Sequence, residues 1–219
     1  ADVTYLGDYQ YLGNATAKGF SAKGPSQSGV SVEVEDTPVG QDMVVKVTVP
    51  DDATGNVTVM VDGKPVTVTN VTSGDNYINI PGLSEGTHEV EVIYSGDSQH
   101  DPVKVTKEVT VFKSVIAESS MTRGWNSPYD FKAEFLDSQG HVLADNVVKF
   151  TVNGKTYNVK TDKQGIAYLT ASKLGVGSYD VTVYNPVTGE TVKSKVNIVK
   201  RLINNKDITM DFVDGTYYK

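Results

Sequence analysis

The chain repeats itself, and this limits its fold more than any single motif. Residues 113–132 (KSVIAESSMTRGWNSPYDFK) align without a gap on residues 200–219 (KRLINNKDITMDFVDGTYYK). Lys113, Ile116, Thr122 and Lys132 fall on Lys200, Ile203, Thr209 and Lys219. Val115 meets Leu202, Met121 meets Ile208, Trp125 meets Phe212 and Phe131 meets Tyr218. Apolar character survives where the letters differ, as a shared core requires. From Lys113 to Lys200 the period is 87 residues. That is too long for a solenoid repeat and right for a small β-sandwich.

The intervening pattern is that of strands. Val30–Glu35, Val44–Val49, Val57–Val61 and Pro65–Val68 alternate at period two and are rich in β-branched residues. Asp62-Gly63 separates two such runs, and Asn153-Gly154 repeats it further on. Both dipeptides predict two-residue type I′ hairpins, because each central residue must take a positive φ. No stretch sustains helical periodicity; Thr170–Leu174 could make one short turn. Val57–Val68 (VTVMVDGKPVTV) sits over Val148–Val159 (VKFTVNGKTYNV), and Gly86–Ser95 over Gly177–Pro186 at the same offset. This shared register predicts an all-β chain with an N-terminal extension and hinge at 1–28, one domain at 29–112, a second at 113–199, and an opening strand of a third repeat at 200–219.

Composition narrows the function classes. Acidic residues outnumber basic ones 27 to 20, a net charge of −7, with no basic run. That balance argues against nucleic acid or anionic membrane as a partner. There is no cysteine, which removes disulfides, thiolate zinc sites and cysteine nucleophiles. No apolar run reaches the roughly 18–20 residues that span a bilayer. His88, His100 and His141 are scattered without metal-ligand spacing, and no nucleophile elbow or phosphate loop occurs. Catalysis is not expected, and no cofactor is implied beyond a possible structural Ca²⁺.

Several motifs carry a resemblance. Gly86-Thr87-His88, followed by Val90, Val92 and Tyr94-Ser95-Gly96-Asp97, resembles the end of a bacterial immunoglobulin-like repeat. Phe135–Gly140, Val148-Lys149-Phe150 and Thr161-Asp162-Lys163-Gln164-Gly165-Ile166-Ala167 resemble invasin-type immunoglobulin-like domains. With Met121–Tyr129, these modules are similar to repeats of adhesin-like surface proteins of methanogenic archaea. The resemblance covers about Gly29 to the end. It implies tandem immunoglobulin-like β-sandwiches with strand-like N- and C-terminal extensions, at the cell surface. Bottom-up, the same residues make turns: Asp162 can fold its carboxylate onto the turn while Gly165 takes a positive φ.

Candidate site residues are few. Asp97 and Asp101 share a loop, as do Asp36 and Asp42, and could offer oxygen ligands to Ca²⁺. Trp125 and Tyr129 could stack on sugar rings, although replacement of Trp125 by Phe212 in the next copy predicts packing instead. Lys132 and Asn197 have the order of a self-formed isopeptide crosslink, with Glu134 as the acid. Lys132 and Glu134 share one sheet face, however, so a solvated lysine is the expectation. Asn14, Asn56 and Asn70 open N-glycosylation sequons.

The C-terminal copy predicts either a remnant of a longer array or a donated strand. Ile208, Met210 and Phe212 alternate, followed by Tyr217 and Tyr218, and Val3 and Tyr5 alternate at the other end. A lone strand leaves backbone groups unpaired, so it must find a partner, in cis or in another copy. Together these features lead us to expect an extracellular stalk or fibre module with adhesive function. Its partners would be neighbouring copies or further repeats, with surface glycans or proteins as ligands of an adhesin tip in the alternative case. Short linkers, Phe112–Ser114 and Lys200–Leu202, would hold the array extended.

Overall fold

The computed structural model describes residues 3–7, 12–16, 29–125, 130–170, 174–200, 211–213 and 216–218. At the N-terminus β1 (Val3–Gly7) and β2 (Leu12–Thr16) pair as an antiparallel hairpin, with Val3 opposite Thr16 and Tyr5 opposite Asn14. The extension thus holds a pair of strands.

Two sandwiches follow. The first comprises β3 (Ser31–Val34), β4 (Thr37–Pro38), β5 (Met43–Val49), β6 (Asn56–Val61), β7 (Lys64–Asn70), β8 (Gly74–Ile80), β9 (Gly86–Tyr94) and β10 (Val103–Phe112). They form a three-stranded sheet in the order β3-β5-β8 and a five-stranded sheet in the order β4-β10-β9-β6-β7. The second comprises β11 (Val115–Ala117), β12 (Ser120–Gly124), β13 (Phe131–Phe135), β14 (Val147–Val152), β15 (Lys155–Lys160), β16 (Ile166–Leu169), β17 (Gly177–Tyr184) and β18 (Thr191–Val199). Its sheets run β11-β13-β16 and β12-β18-β17-β14-β15, the same order again. In both, the opening segment splits between the sheets. Its second half, β4 or β12, runs parallel to the final strand, whereas the other pairings are antiparallel. This is an immunoglobulin-like arrangement, and no helix occurs among the described residues.

Alternation builds each core. Along β5 the odd positions Met43, Val45, Val47 and Val49 are buried and meet Val57, Val59, Val90 and Val92 from the facing sheet. The second core is more aromatic: Phe150 lies edge-on to Phe131 and Phe135, with ring centroids 6.1 and 6.2 Å apart. Such pairs contribute about 0.5–1.5 kcal/mol beyond their buried area. The hairpin dipeptides behave as their chemistry requires. Asp62 and Gly63 have φ of 50° and 73°, and Asn153 and Gly154 have 45° and 83°, the left-handed pair of a type I′ turn.

The Asp162 turn also forms. Its Oδ1 accepts from Gln164 N and Ile166 N, both at 2.9 Å. Gly165 has φ +74°, and a Cβ there would lie 2.8 Å from Phe135 O. Asp137 closes the preceding turn in the same way, accepting from Gln139 N and His141 N.

At the other end β19 (Asp211–Val213) pairs with β20 (Thr216–Tyr218), placing Phe212 opposite Tyr217. Strand β19 therefore has β20 as its partner within this segment. Ile208 and Met210 lie outside the described residues, as do residues 171–173 of the possible short turn.

Candidate functional site

A dense buried polar cluster lies at the joint between the sandwiches. Strand β10 ends at Phe112 and β11 begins at Val115, so only Lys113 and Ser114 connect them. Ser114 is completely buried. The Glu190 carboxylate, 8 % exposed, takes its Oε2 to this joint. It accepts from Ser114 N at 2.5 Å, Ser114 Oγ at 2.8 Å and Val115 N at 3.0 Å. Hydrogen bonds to a charged acceptor are the strong ones, and here they satisfy an otherwise costly buried carboxylate. Ser114 Oγ also meets Thr188 Oγ1 at 2.6 Å. Asn185 Nδ2 donates to Leu136 O at 2.8 Å and to Ser114 O at 3.3 Å, while Leu136 N donates to Ser114 O at 2.9 Å.

Two contacts cross the joint, and a third ties the linker to the first sandwich. Gln41 Nε2 of the first sandwich donates to Thr188 O of the second at 2.8 Å. The Phe112 ring lies over Gly140, close enough that a Cβ there would stand 3.5 Å from its Cζ. Lys113 pairs with Glu85. That hydrogen bond and charge hold its amine above the ordinary lysine value, with Glu190 adding to the field. A connection this short and this bonded has little freedom to bend. Beside it a cleft of about 320 Å³ is lined by Glu35, Asp36, Asp42, Lys46 and Ser138.

The residues singled out in the sequence fare unequally. Asp97 is engaged within its own loop. Its side chain is 8 % exposed and accepts from Thr54 N at 2.7 Å, Gln99 N at 2.7 Å, His100 N at 2.8 Å and Tyr94 OH at 3.0 Å. The Thr54, Gln99 and His100 backbone donors hold its carboxyl far below the usual range. Burial, then the hydrogen bond to Asp97 and its charge, push the Tyr94 phenol up to about 12. The Tyr-Ser-Gly-Asp segment is therefore a loop latch, with His100 between Asp97 and Asp52. Asp101 is exposed, and Asp36 accepts from Thr110 N at 2.7 Å. No group of three potential ligands occurs among the described residues.

Trp125 is 48 % exposed, so of the two kinds of packing expected, in a core or between domains, the ring takes no place in the core of its own sandwich. Its backbone N donates to Val199 O at 2.8 Å, so it prolongs the β12–β18 ladder while the ring remains outside. Tyr129 lies outside the described residues. Lys132 and Asn197 occupy different sheets. Lys132 Nζ sits 3.4 Å from Glu134 on the outer face, and Asn197 Oδ1 accepts from Ser178. No crosslink geometry exists there. Asn56 and Asn70 are both exposed and lie opposite each other at the open end of the β6–β7 hairpin. Asn14 is in β2.

His88 gained its role only in the fold. Its Nδ1 lies 2.8 Å from Asp62 Oδ2 and its Nε2 2.8 Å from Ser84 O. Two acceptors favour the doubly protonated ring, and the Asp62 hydrogen bond raises its pKa first among causes. The Glu190 cluster was missed altogether. The only signal was a glutamate after the Thr188-Gly189 turn, where the alternation of β18 begins.

No family profile and no curated protein matches this chain. Among solved structures it is similar to the fibronectin(III)-like modules of Clostridium thermocellum CbhA, at 14 % identity over 80 % of this chain and 97 % of that one, with a TM-score of 0.32. The titin immunoglobulin tandem A164-A165 matches at 10 % identity over 79 % and 97 %, TM-score 0.29. A Bacteroides ovatus protein of a mixed-linkage glucan utilization locus, solved with a heptasaccharide, matches at 18 % over 82 % and 46 %, TM-score 0.32. Likenesses this loose carry no argument about what the chain does, and the fold stands on its own strand order. Among the described residues no helix is long and apolar enough to cross a membrane.

Proposed function

We propose that the chain is a non-enzymatic, extracellular structural and adhesive module, one section of a cell-surface stalk or fibre. The observation that carries this reading is the two-residue joint whose backbone is bonded to Glu190 on one side and bridged by Gln41 and Lys113 on the other. A module that must keep distance and direction needs such a joint, whereas an enzyme needs a pocket with convergent reactive groups. The resemblance to adhesin-like surface repeats supports the same reading. Small-angle scattering of the monomeric chain tests it: an elongated particle with a narrow distance distribution is expected. A folded-back pair, or a broad spread of interdomain distances, overturns it.

A second reading has one observation in its favour. The half-exposed Trp125 ring could make the chain an adhesin tip that stacks on carbohydrate. Saturable glycan-array binding that disappears on Trp125→Ala would support it; no binding to any glycan would retire it.

A further inference from the structure

At the end where the linker leaves, the first sandwich carries a set of contacts built from residues that the second replaces. His88 is buried, with Nδ1 2.8 Å from Asp62 Oδ2 and Nε2 2.8 Å from Ser84 O. Both neighbours are acceptors. A neutral imidazole has one N–H and serves one of them; only the doubly protonated ring serves both. Ser84 belongs to residues 81–85, which join β8 to β9. That loop is held at three successive residues. Leu83 packs against the core, the Ser84 carbonyl meets His88, and the Glu85 carboxylate meets Lys113 of the linker at 2.5 Å. Gly82 and Gly86 bound the held residues at φ of +72° and +139°, and a Cβ at either would meet nothing within 4 Å, so the segment has hinges at both ends. In the second sandwich Ser178 takes the place of His88 and donates to Asn197, Val176 takes that of Glu85, and Asn153 that of Asp62.

We propose that His88 is a proton-operated latch: protonated, it holds the 81–85 loop and with it the Glu85 tie to the linker, and on losing its proton it releases both. Charge decides which of its two contacts breaks. Asp62 also accepts from Glu89 N at 3.0 Å, and as a carboxylate it is the stronger acceptor, so the remaining proton stays on Nδ1. Nε2 then presents a lone pair to the lone pairs of Ser84 O at 2.8 Å, and the two atoms must separate. The ring is buried and still anchored by Asp62, whereas Ser84 is exposed. The carbonyl is therefore the partner that moves, turning to water, and Glu85 as the next residue moves with it.

The surroundings of the ring set the direction. Asp62 is the charge that acts on it; the Asp62 hydrogen bond and the Ser84 carbonyl hold the histidine above its ordinary value against the opposing effect of burial. Lys64, beside the same turn, acts on Asp62. Glu85 is engaged with Lys113. On β10 the residue opposite His88 is the buried Val109, and the buried residues that β3, β5 and β8 contribute are all apolar. The latch is thus closed at acid pH and opens as pH rises through the raised histidine value. It stands on the geometry of the first sandwich, whatever the chain adheres to.

The test follows the isotope-labelled full chain by NMR from about pH 5.5 to about pH 8.5, the range in which histidines titrate. The His88 ring, the Ser84 carbonyl carbon and the Glu85 carboxyl carbon are expected to shift with one shared midpoint above 6.5. Asp62→Asn removes the charge on the ring and should carry all three to a lower midpoint together. The turn accepts this change, since Asn153 fills the same position in the second sandwich at a similar φ. If that variant nevertheless fails to fold, His88→Gln should leave Ser84 and Glu85 insensitive to pH across the range. A histidine that titrates while the Ser84 carbonyl stays still overturns the latch, as does a ring that keeps one charge state throughout. Movement at Ser84 that does not reach the Glu85 carboxyl carbon overturns the tie to the linker.

Discussion

Replacing Glu190 by alanine removes the acceptor on which the joint closes. Three donors lose their partner together: Ser114 N, Ser114 Oγ and Val115 N. Ser114 Oγ retains Thr188 Oγ1, so two buried backbone donors bear most of the cost. Each unsatisfied buried donor costs about 1–3 kcal/mol, and water entering the vacated space recovers part of it. A loss of about 2–4 kcal/mol is expected from the second sandwich, a large share of the roughly 5–15 kcal/mol that holds a domain folded. In melting temperature this is about 10–20 °C for a domain of this size. Glu190→Gln keeps a carbonyl oxygen at the site and should lose about 1 kcal/mol, the difference between a charged and a neutral acceptor. The chain contains a single tryptophan, Trp125, in the second sandwich. Urea unfolding followed by its fluorescence therefore reports that sandwich without the first. Scattering on Glu190→Ala should also show a broader distance distribution, since the linker loses its clamp. If Glu190→Ala unfolds within about 0.5 kcal/mol of the parent, as an ordinary surface change would, the joint is held by something else and the reasoning here is wrong.

Three further outcomes are expected. Gly63 and Gly96 share a φ of +73°, but a Cβ at Gly63 meets nothing within 4 Å while one at Gly96 meets His100 O at 2.7 Å and Pro102 N at 2.8 Å. Gly63→Ala should therefore cost about 1–2 kcal/mol in denaturant unfolding and Gly96→Ala clearly more; equal losses would remove the clash from the account. His88 is held above its ordinary value of 6.5 and Asp62 below its ordinary 3.8, each by the other. The His88 contribution is complete below the unfolded histidine value and is lost as pH rises through the raised one. The melting temperature of the first sandwich should thus fall from pH 6 to pH 8, and His88→Gln should flatten that slope. Asp97 lies far below its ordinary 3.8, so its contribution is present above that value and lost on acidification. Asp97→Asn should lower the melting temperature at pH 7 and reduce the acid sensitivity of the first sandwich, both read by circular dichroism.

Much of the fold was legible because its signals are local. Type I′ dipeptides force positive φ at two adjacent residues, so Asp62-Gly63 and Asn153-Gly154 located two hairpins and, through them, the shared register. Alternation likewise assigned the buried face of β5 and β6. Long-range bonds were not legible. Glu190 reads as one more surface carboxylate until the fold brings Ser114, 76 residues away, against it. Asp97 suggested a metal because spacing reveals oxygen atoms but not the backbone donors that surround them. Trp125 was legible only in part. Its replacement by Phe212 preserves bulk, yet bulk at a strand end can lie outside as readily as inside. The C-terminal copy suggested a lone strand because alternation marks β19 but is silent on its partner β20.

The parallel pairing of each opening segment with its final strand has a mechanical meaning. Tension applied through the two ends of a sandwich pulls these neighbours in opposite directions, so their rungs are sheared together instead of being unzipped one at a time. The second sandwich has five such rungs, Ser120↔Lys195 to Gly124↔Val199, and the first has two, Thr37↔Val111 and Pro38↔Phe112. If tension is applied through both ends, the first sandwich is expected to yield at a lower force than the second in single-molecule pulling; equal forces would refute the count of rungs as the cause.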